Sequence, residues 1–200
     1  MSFTSGTASF VRYRVEGEIP ADFWNFAAER INAHAFRDID DSFEEISIGW
    51  VSLAGMFDSS FSEASYVAGD YLAMALRVDE RRVAPAALKK FCLKEEQRLI
   101  RERQIPKLSR SQKVEIKENM RLKLLKQAVP IPALYEMCWS LANNQVTFFS
   151  TSAKAQTTFE ELFRDTFDLD AVLEIPYTLA MNLLPEGAAA IENLTPAVIA

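Results

Sequence analysis

The segment 85–128 constrains the fold more than any other part of the chain, because it predicts two long helices one after the other. Proline suits the first turn of a helix, so Pro85 opens the first of them. Ile105-Pro106 ends that helix, and either Ser109 or Ser111 can cap the next one. Since the link between them is short, we expect the two helices to pack as a hairpin.

The rest of the chain mixes strands with helices. Alternating apolar and polar residues predict strands, and apolar residues at helical spacing predict helices. Asn143-Asn144, between two alternating segments, predicts a hairpin turn. The predicted strands are 7–15, 46–53, 71–78, 135–141 and 146–150, and the predicted helices are 20–35, 86–104, about 110–128 and 153–167, with a short helix and tail in 179–200. We therefore expect one α+β domain over 1–200, with an antiparallel sheet lobe and packed helices (1–84 and 129–200) and a protruding, long basic helical hairpin (85–128).

Composition excludes several classes of protein. The chain has 200 residues, of which 49% are hydrophobic and 25% charged. Its two cysteines, Cys92 and Cys138, are too few for a disulfide framework and favour a reducing cytoplasm. No run approaches the ~20 apolar residues of a membrane span. Residues 1–10 lack the basic and apolar parts of a secretory signal. We expect a cytoplasmic protein with no membrane partner.

Common catalytic arrangements are difficult to build, because the chain has a single histidine, His34. Ser-His-Asp, Cys-His and most zinc sites would need it. G-x-S-x-G, Walker-type and G-x-G-x-x-G loops are absent from the sequence. We interpret His34 as a helix-end or packing residue. The sequence thus predicts no enzyme, no catalytic residue and no cofactor.

Carboxylates are densest just before the second predicted strand. A metal site or an acid–base pair is one interpretation of this cluster, and an acidic, solvated loop is the preferred one. Its members are Asp38, Asp40, Asp41, Glu44 and Glu45. We therefore predict no metal site here.

Charge is distributed very unevenly along the chain. Residues 77–126 hold sixteen Lys and Arg against seven Asp and Glu, a balance of +9. The remaining chain holds six basic and twenty-one acidic residues, a balance of −15, and the two sum to the overall −6. This asymmetry indicates an anionic partner for the basic segment.

Eight cations recur at spacings of three and four on the two predicted helices, so those on each helix share a face. Together they can form a ridge or a groove wall that binds a polyanion by counterion release. The alternative is a solvated helical pair whose charges are partly neutralised by neighbouring glutamates. The candidate DNA-binding residues are Lys90, Lys94, Arg98 and Arg101 on the first helix and Arg110, Lys113, Lys117 and Arg121 on the second.

A series of short motifs follows in a fixed order over about residues 8–170. The most informative is 107–118, KLSRSQKVEIKE, a lysine-rich stretch with a serine cap. The others are Tyr13-Arg14, Gly49-Trp50-Val51, Lys89-Lys90, Met137-Cys138-Trp139, Asn143-Asn144 and Thr151-Ser152-Ala153-Lys154. This ordered series resembles the RdgC family of bacterial recombination-associated proteins.

The resemblance implies an α+β homodimer that binds DNA without sequence preference. In the family, two curved subunits close into a ring around duplex DNA, and members restrain the RecA recombinase. For this chain the resemblance implies a nucleoid-associated protein with no catalytic activity, with duplex preferred over single-stranded DNA. Better-known members continue well beyond the region that corresponds to 159–167, so the sequence resembles a short member, for which a closed ring is not implied.

Two functions of different class follow from these observations. The first is a non-catalytic DNA-binding protein of recombination that modulates the access of the recombinase to DNA. The second is a protein-interaction module of the same fold whose basic helices dock an acidic partner. An enzyme that uses the carboxylates of 38–45 with a divalent metal has the least support. A steep salt dependence of DNA binding distinguishes the first from the second.

Overall fold

A computed structural model describes residues 8–42 and 44–183, which form helices and strands in mixed order. The strands are β1 (Val11–Glu16), β2 (Ile46–Val51), β3 (Val67–Ala68), β4 (Tyr71–Glu80), β5 (Ile131–Ser140), β6 (Gln145–Phe148) and β7 (Asp170–Leu173). The helices are α1 (Phe23–Ala33), α2 (Pro85–Arg103), α3 (Arg110–Leu125), α4 (Ala153–Phe167) and α5 (Pro176–Leu183). Both short strands, β3 and β7, are additions to the predicted elements. Most of the predicted segment 179–200 lies outside the described residues.

The strands form one sheet in the order β2-β4-β5-β6-β1-β7, with β3 paired to β4. The pairs β1–β6, β1–β7, β3–β4 and β5–β6 are antiparallel. The predicted turn between β5 and β6 is confirmed, because Ser140 is in register with Gln145 and Asn144 takes the left-handed conformation (φ 49°). The α+β class predicted from the sequence is thereby confirmed.

The chain divides into two compact units. The first comprises the described parts of Met1–Ala35, Trp50–Leu76 and Tyr135–Ala200, and the second those of Phe36–Gly49 and Arg77–Leu134. The single-domain organisation over 1–200 stays a prediction.

Aromatic side chains from α4 and the strands build the core of the first unit. Trp139 meets the rings of Phe163 and Phe167 at centroid distances of 5.1 and 5.2 Å, and Phe159 stacks on Phe148 at 4.4 Å. Aromatic pairs of this kind contribute about 0.5–1.5 kcal/mol each beyond the area they bury. Edge-to-face and stacked aromatic contacts therefore hold α4 against the sheet.

A buried hydrogen bond adds direction to this apolar packing. The indole nitrogen of Trp50 donates to the hydroxyl of Thr166 over 2.8 Å, and that hydroxyl donates to the carbonyl of Leu162 over 2.6 Å. Trp50 can thus lie fully buried without an unpaired N–H.

His34 ends α1, as the sequence predicts. It is the C-terminal cap of that helix, and its ring Nδ1 lies 2.9 Å from the carbonyl oxygen of Arg30. The residue therefore has a local structural role.

Arg81 organises the second unit. Its guanidinium donates to the carbonyls of Ile39 (2.6 Å), Asp40 (3.0 Å) and Ser42 (3.2 Å). It also donates to the carbonyl of Ala128, just after α3. Arg81 thereby ties the acidic segment before β2 to the end of α3.

Candidate nucleic-acid interface

Local sequence explains where both basic helices begin. Pro85 occupies the first turn of α2, where its missing N–H costs nothing. Ser109, not Ser111, caps α3: its hydroxyl accepts from the backbone N–H of Gln112, and the Gln112 side chain accepts from the backbone N–H of Ser109. This reciprocal capping box fixes the start of α3. The helices lie against each other, joined by 104–109.

Neither helix is deeply buried. None of the nineteen residues of α2 is buried, and α3 buries Ile116 and Leu125. Seven of the eight predicted DNA-binding residues are exposed, and Arg121 is partly exposed. The helical pair therefore presents most of its side chains, charged and apolar, to solvent.

Two of the grooves along the helical pair are lined by predicted cations. We name the first the Lys113 groove; its volume is about 550 Å³, and it is lined by Pro85, Leu88, Lys89, Cys92, Leu93, Glu96, Arg110, Lys113, Val114 and Lys117. We name the second the Arg98 groove; its volume is about 630 Å³, and it is lined by Phe91, Lys94, Glu95, Gln97, Arg98, Arg101, Glu102, Met120 and Lys123.

The predicted cations are divided between these two grooves. The α3 residues Arg110, Lys113 and Lys117 line the Lys113 groove. The α2 residues Lys94, Arg98 and Arg101 line the Arg98 groove, and Lys90 and Arg121 belong to neither lining. The eight side chains therefore do not share one ridge, although each helix does keep three of its four on a common groove wall.

Sequence reasoning missed one cation in each groove. Lys89 joins the Lys113 groove from α2, and Lys123 joins the Arg98 groove from α3. Helical spacing does place Lys89 on the same face as Cys92 and Lys123 on the same face as Met120, three residues away in each case. What the sequence did not contain was the identity of the face that turns toward the other helix.

Three of the eight candidates already have carboxylate partners. Arg98 donates to Glu95 over 2.9 and 2.5 Å and to Glu102 over 2.6 Å. Lys113 lies 3.4 Å from Glu96. The helical charges at these positions are therefore partly neutralised by glutamates, as one of the two sequence-based alternatives predicts.

Arg121, on α3, is bound from outside the helical pair. Its guanidinium donates to Glu45 over 2.7 Å. This contact links α3 to the acidic segment before β2, within the second unit.

The ion pairs of Arg98 with its neighbouring glutamates shift the pKa values of Arg98 and Glu95. The hydrogen bond from Arg98 holds the pKa of Glu95 below its ordinary value, and the two carboxylates raise the pKa of Arg98. Both groups are on the surface, so the pairs contribute little to stability. Because the Arg98 guanidinium is already paired with two carboxylates, it is less available to bind a phosphate.

Other cations of the grooves have no carboxylate partner among the described residues. Among the described residues, no ion pair is formed by Lys94, Arg101, Arg110 or Lys117. The Lys113 groove carries four cations against one carboxylate, and the Arg98 groove four against two. Both grooves therefore keep an excess of positive charge that an anion can use.

The five carboxylates of the acidic segment 38–45 are exposed, as the preferred interpretation predicts, and two of them are held in ion pairs. Asp38 lies 3.8 Å from Arg77, and Glu45 receives the hydrogen bond from Arg121. In the described part of the chain, no three His, Cys, Asp or Glu side chains are arranged to hold a metal ion. Nor, over 8–42 and 44–183, is any helix long and apolar enough to span a bilayer.

Comparison with known proteins gives one family. The family model described as "Putative exonuclease, RdgC" matches residues 9–182, most of the chain and all of the helical pair. No curated protein matches the chain.

Proposed function

The chain belongs to the RdgC family of recombination-associated proteins, and on this premise we propose that it binds DNA without sequence preference and without catalysis. The phosphates of the DNA bind to the exposed cations of α2 and α3. Contacts to phosphate position a protein on DNA but carry no sequence information, which accounts for the lack of preference.

One observation carries the proposal: four of the predicted cations that line the two grooves are exposed and have no ion pair among the described residues. They are Lys94, Arg101, Arg110 and Lys117. Lys94 lies four residues after Lys90. Lys113 lies three residues after Arg110 and four before Lys117. Like charges at these spacings destabilise a helix by a few tenths of a kcal/mol per pair. A polyanion offsets that cost, because each neutralised phosphate releases condensed counterions. The arrangement is thus better explained by an anionic partner than by helix stability.

The absence of catalysis is part of the same proposal. Its support is that the densest carboxylate cluster has structural partners at both ends, since Asp38 pairs with Arg77 and Glu45 with Arg121. A metal-dependent nuclease needs convergent, available oxygen ligands. We assign Asp38 and Glu45 to these contacts within the fold, although the family description includes the word exonuclease.

The proposal also includes a homodimer on duplex rather than single-stranded DNA, associated with the nucleoid. It includes a link to the RecA recombinase, whose access to DNA this protein modulates. Support for these points comes from the resemblance to the family. A protein that occupies DNA without sequence preference competes with any filament that assembles on the same DNA.

The test is a fluorescence anisotropy titration with two unrelated duplexes and one single strand, at several salt concentrations. We expect both duplexes to bind equally and affinity to fall steeply with salt. The double variants Lys94→Ala/Arg101→Ala and Arg110→Ala/Lys117→Ala should each flatten the log–log salt plot by about two units.

A matched control removes two positive charges elsewhere. Arg12→Ala/Arg37→Ala changes the net charge equally, at positions outside both grooves. It should leave the salt slope within about half a unit of the parent value. If the control and the groove variants weaken binding equally, the phosphates do not bind to α2 and α3, and the proposed surface is wrong.

A further inference from the structure

The Lys113 groove has an apolar floor that the described residues leave partly exposed. Leu93 and Val114 are 49% and 56% exposed, and Leu88 and Cys92 are half-buried. Binding of phosphates makes no use of such a floor, because it depends on cations. Exposed aliphatic side chains gathered in a groove are typical of a site that buries apolar groups of a ligand or protein.

The rim of the same groove is strongly basic. Lys89, Arg110, Lys113 and Lys117 surround the floor, against a single carboxylate, Glu96, among the residues of the lining. Glu96 is itself 3.4 Å from the Lys113 ammonium. A ligand that fits both features has apolar groups at its centre and negative charge on each side.

The dimensions suit a short helix. On α3 the groove extends from Arg110 to Lys117, two helical turns and about 10 Å along the axis. A helix placed in such a groove inserts side chains at i, i+3 or i+4, and i+7. The volume of about 550 Å³ lies within the usual range of ligand sites.

We propose that the Lys113 groove docks an acidic amphipathic helix of a partner protein. The apolar face of that helix covers Leu93 and Val114, and its flanking carboxylates pair with Arg110 and Lys117. The charge of the groove selects the partner, since a basic or neutral helix would leave the cations of the rim unpaired. The positive excess of the Arg98 groove is smaller, with four cations against two carboxylates.

Docking of a helix in this groove does not depend on DNA binding, and the experiment measures the two kinds of binding separately. The probe is a fluorescein-labelled, stapled peptide of about four helical turns, with leucines on one face and glutamates on both sides of them. One control peptide replaces its leucines by serine, and another replaces its glutamates by glutamine. We expect only the parent peptide to bind in the micromolar range.

The decisive variant changes the floor of the groove and not its charge. Leu93→Ser/Val114→Ser should weaken binding of the peptide at least tenfold, because two exposed aliphatic side chains lose their contacts with it. It should leave binding of duplex DNA within about twofold, because phosphate contacts do not involve aliphatic side chains. Lys94→Ala/Arg101→Ala, in the other groove, should do the reverse. Circular dichroism and thermal unfolding check that each variant folds.

Three outcomes would overturn the inference. One is no binding of the peptide at about millimolar concentration, and another is equal binding of the serine control peptide, which would mean that charge alone attracts it. The third is loss of self-association in Leu93→Ser/Val114→Ser without any binding of the peptide, which would make a second copy of the chain the occupant. Peptide binding with the expected dependence on Leu93 and Val114 supports the docking site even if the parent chain does not bind DNA.

Discussion

Arg77 and Asp79 occupy alternate positions of β4 and form a two-point ion pair shielded from solvent. The Arg77 Nε donates to Oδ1 over 2.8 Å and its Nη2 to Oδ2 over 2.6 Å, and the side chains are only 6% and 3% exposed. The guanidinium also lies over the ring of Phe36, 4.0 Å from its centroid. The hydrogen bond from Arg77 to Asp79 is the main reason that the pKa of Arg77 is raised.

Removing one partner of this buried pair should lower the free energy of unfolding far more than removing one partner of a surface ion pair. Asp79→Asn leaves the Arg77 charge buried with weaker compensation, so we expect a loss of about 3–5 kcal/mol in the free energy of unfolding. The matched control is Glu80→Gln, the next residue, whose 2.7 Å partner Arg82 is 66% exposed. That change should cost less than about 1 kcal/mol. Urea unfolding of both variants measures the difference, and equal losses would contradict the buried role of Asp79.

Arg98 forms ion pairs, and Arg101, in the same groove, forms none among the described residues. Their alanine variants should therefore differ in the salt dependence of DNA binding. Arg101→Ala should flatten the salt dependence of DNA binding by about one unit, the effect of one lost phosphate contact. Arg98→Ala should change it by less than about half a unit, because Glu95 and Glu102 already occupy its guanidinium. The affinity itself will fall in both variants, since Arg98→Ala frees two carboxylates. The salt slope is therefore the deciding measurement.

The double change Lys113→Ala/Lys117→Ala should weaken binding to all DNA sequences to the same extent. Thermal stability should change by less than about 1 kcal/mol, because both side chains are exposed. Gel shift at two salt concentrations and a thermal melt test these two statements. A double variant that binds duplex DNA like the parent, with the same salt slope, would favour the interaction-module interpretation of the basic helices.

We expect no cleavage of DNA by the rigorously purified protein in Mg²⁺ or Mn²⁺. The reason is that the acidic segment is engaged at Asp38 and Glu45. Labelled single-stranded and duplex DNA, followed over hours, provide the measurement. Cleavage that is lost in Asp40→Ala or Glu44→Ala, with folding intact, would reveal a catalytic role for these carboxylates.

Cys92 offers a pH-dependent probe of the Lys113 groove. Burial is the main cause that raises the pKa of its thiol; Glu96 raises it further, and Lys117 lowers it. Since the thiolate is the reactive form, alkylation should be slow at neutral pH. In a Cys138→Ser background, Lys117→Ala should move the pH profile of alkylation upward and Glu96→Gln should move it downward. Shifts in the same direction for both variants would mean that these charges do not act on Cys92.

The proposed homodimer predicts a mass in solution of twice the 22.6 kDa chain. Apolar residues near the end of the described chain could contribute, since Leu179 and Leu183 of α5 are 44% and 71% exposed. Leu179→Ser/Leu183→Ser should then shift the equilibrium toward the monomer. Light scattering at tens of micromolar measures this, and a single-chain mass for the parent at that concentration would contradict the dimer.

Local signals in the sequence were enough to predict the helices of the candidate site. Pro85 and the Ser109 capping box mark helix starts by their own chemistry, and the left-handed conformation of Asn144 fits the predicted turn. The two missed strands were too short to show a pattern, at two and four residues. Short strands of this kind depend on the neighbours they pair with.

The arrangement of the cations was less accessible from the sequence. Spacing places Lys94, Arg98 and Arg101 on one face of α2, but it does not say which face of α3 lies beside them. The partners of Arg98 could have been anticipated, because Glu95 and Glu102 lie three and four residues away. The pairing of Arg121 with Glu45 could not, because it joins positions 76 residues apart.

Arg81 connects two distant stretches of chain in the second unit, as a covalent cross-link would. One guanidinium joins the carbonyls of Ile39, Asp40 and Ser42 to that of Ala128, so two distant stretches of chain are stapled without any bond that reduction can cut. Opening either end should therefore release the other, and the two should exchange their amide hydrogens as one cooperative unit. Lysine has no planar fork to replace this geometry, so the staple requires arginine at this position.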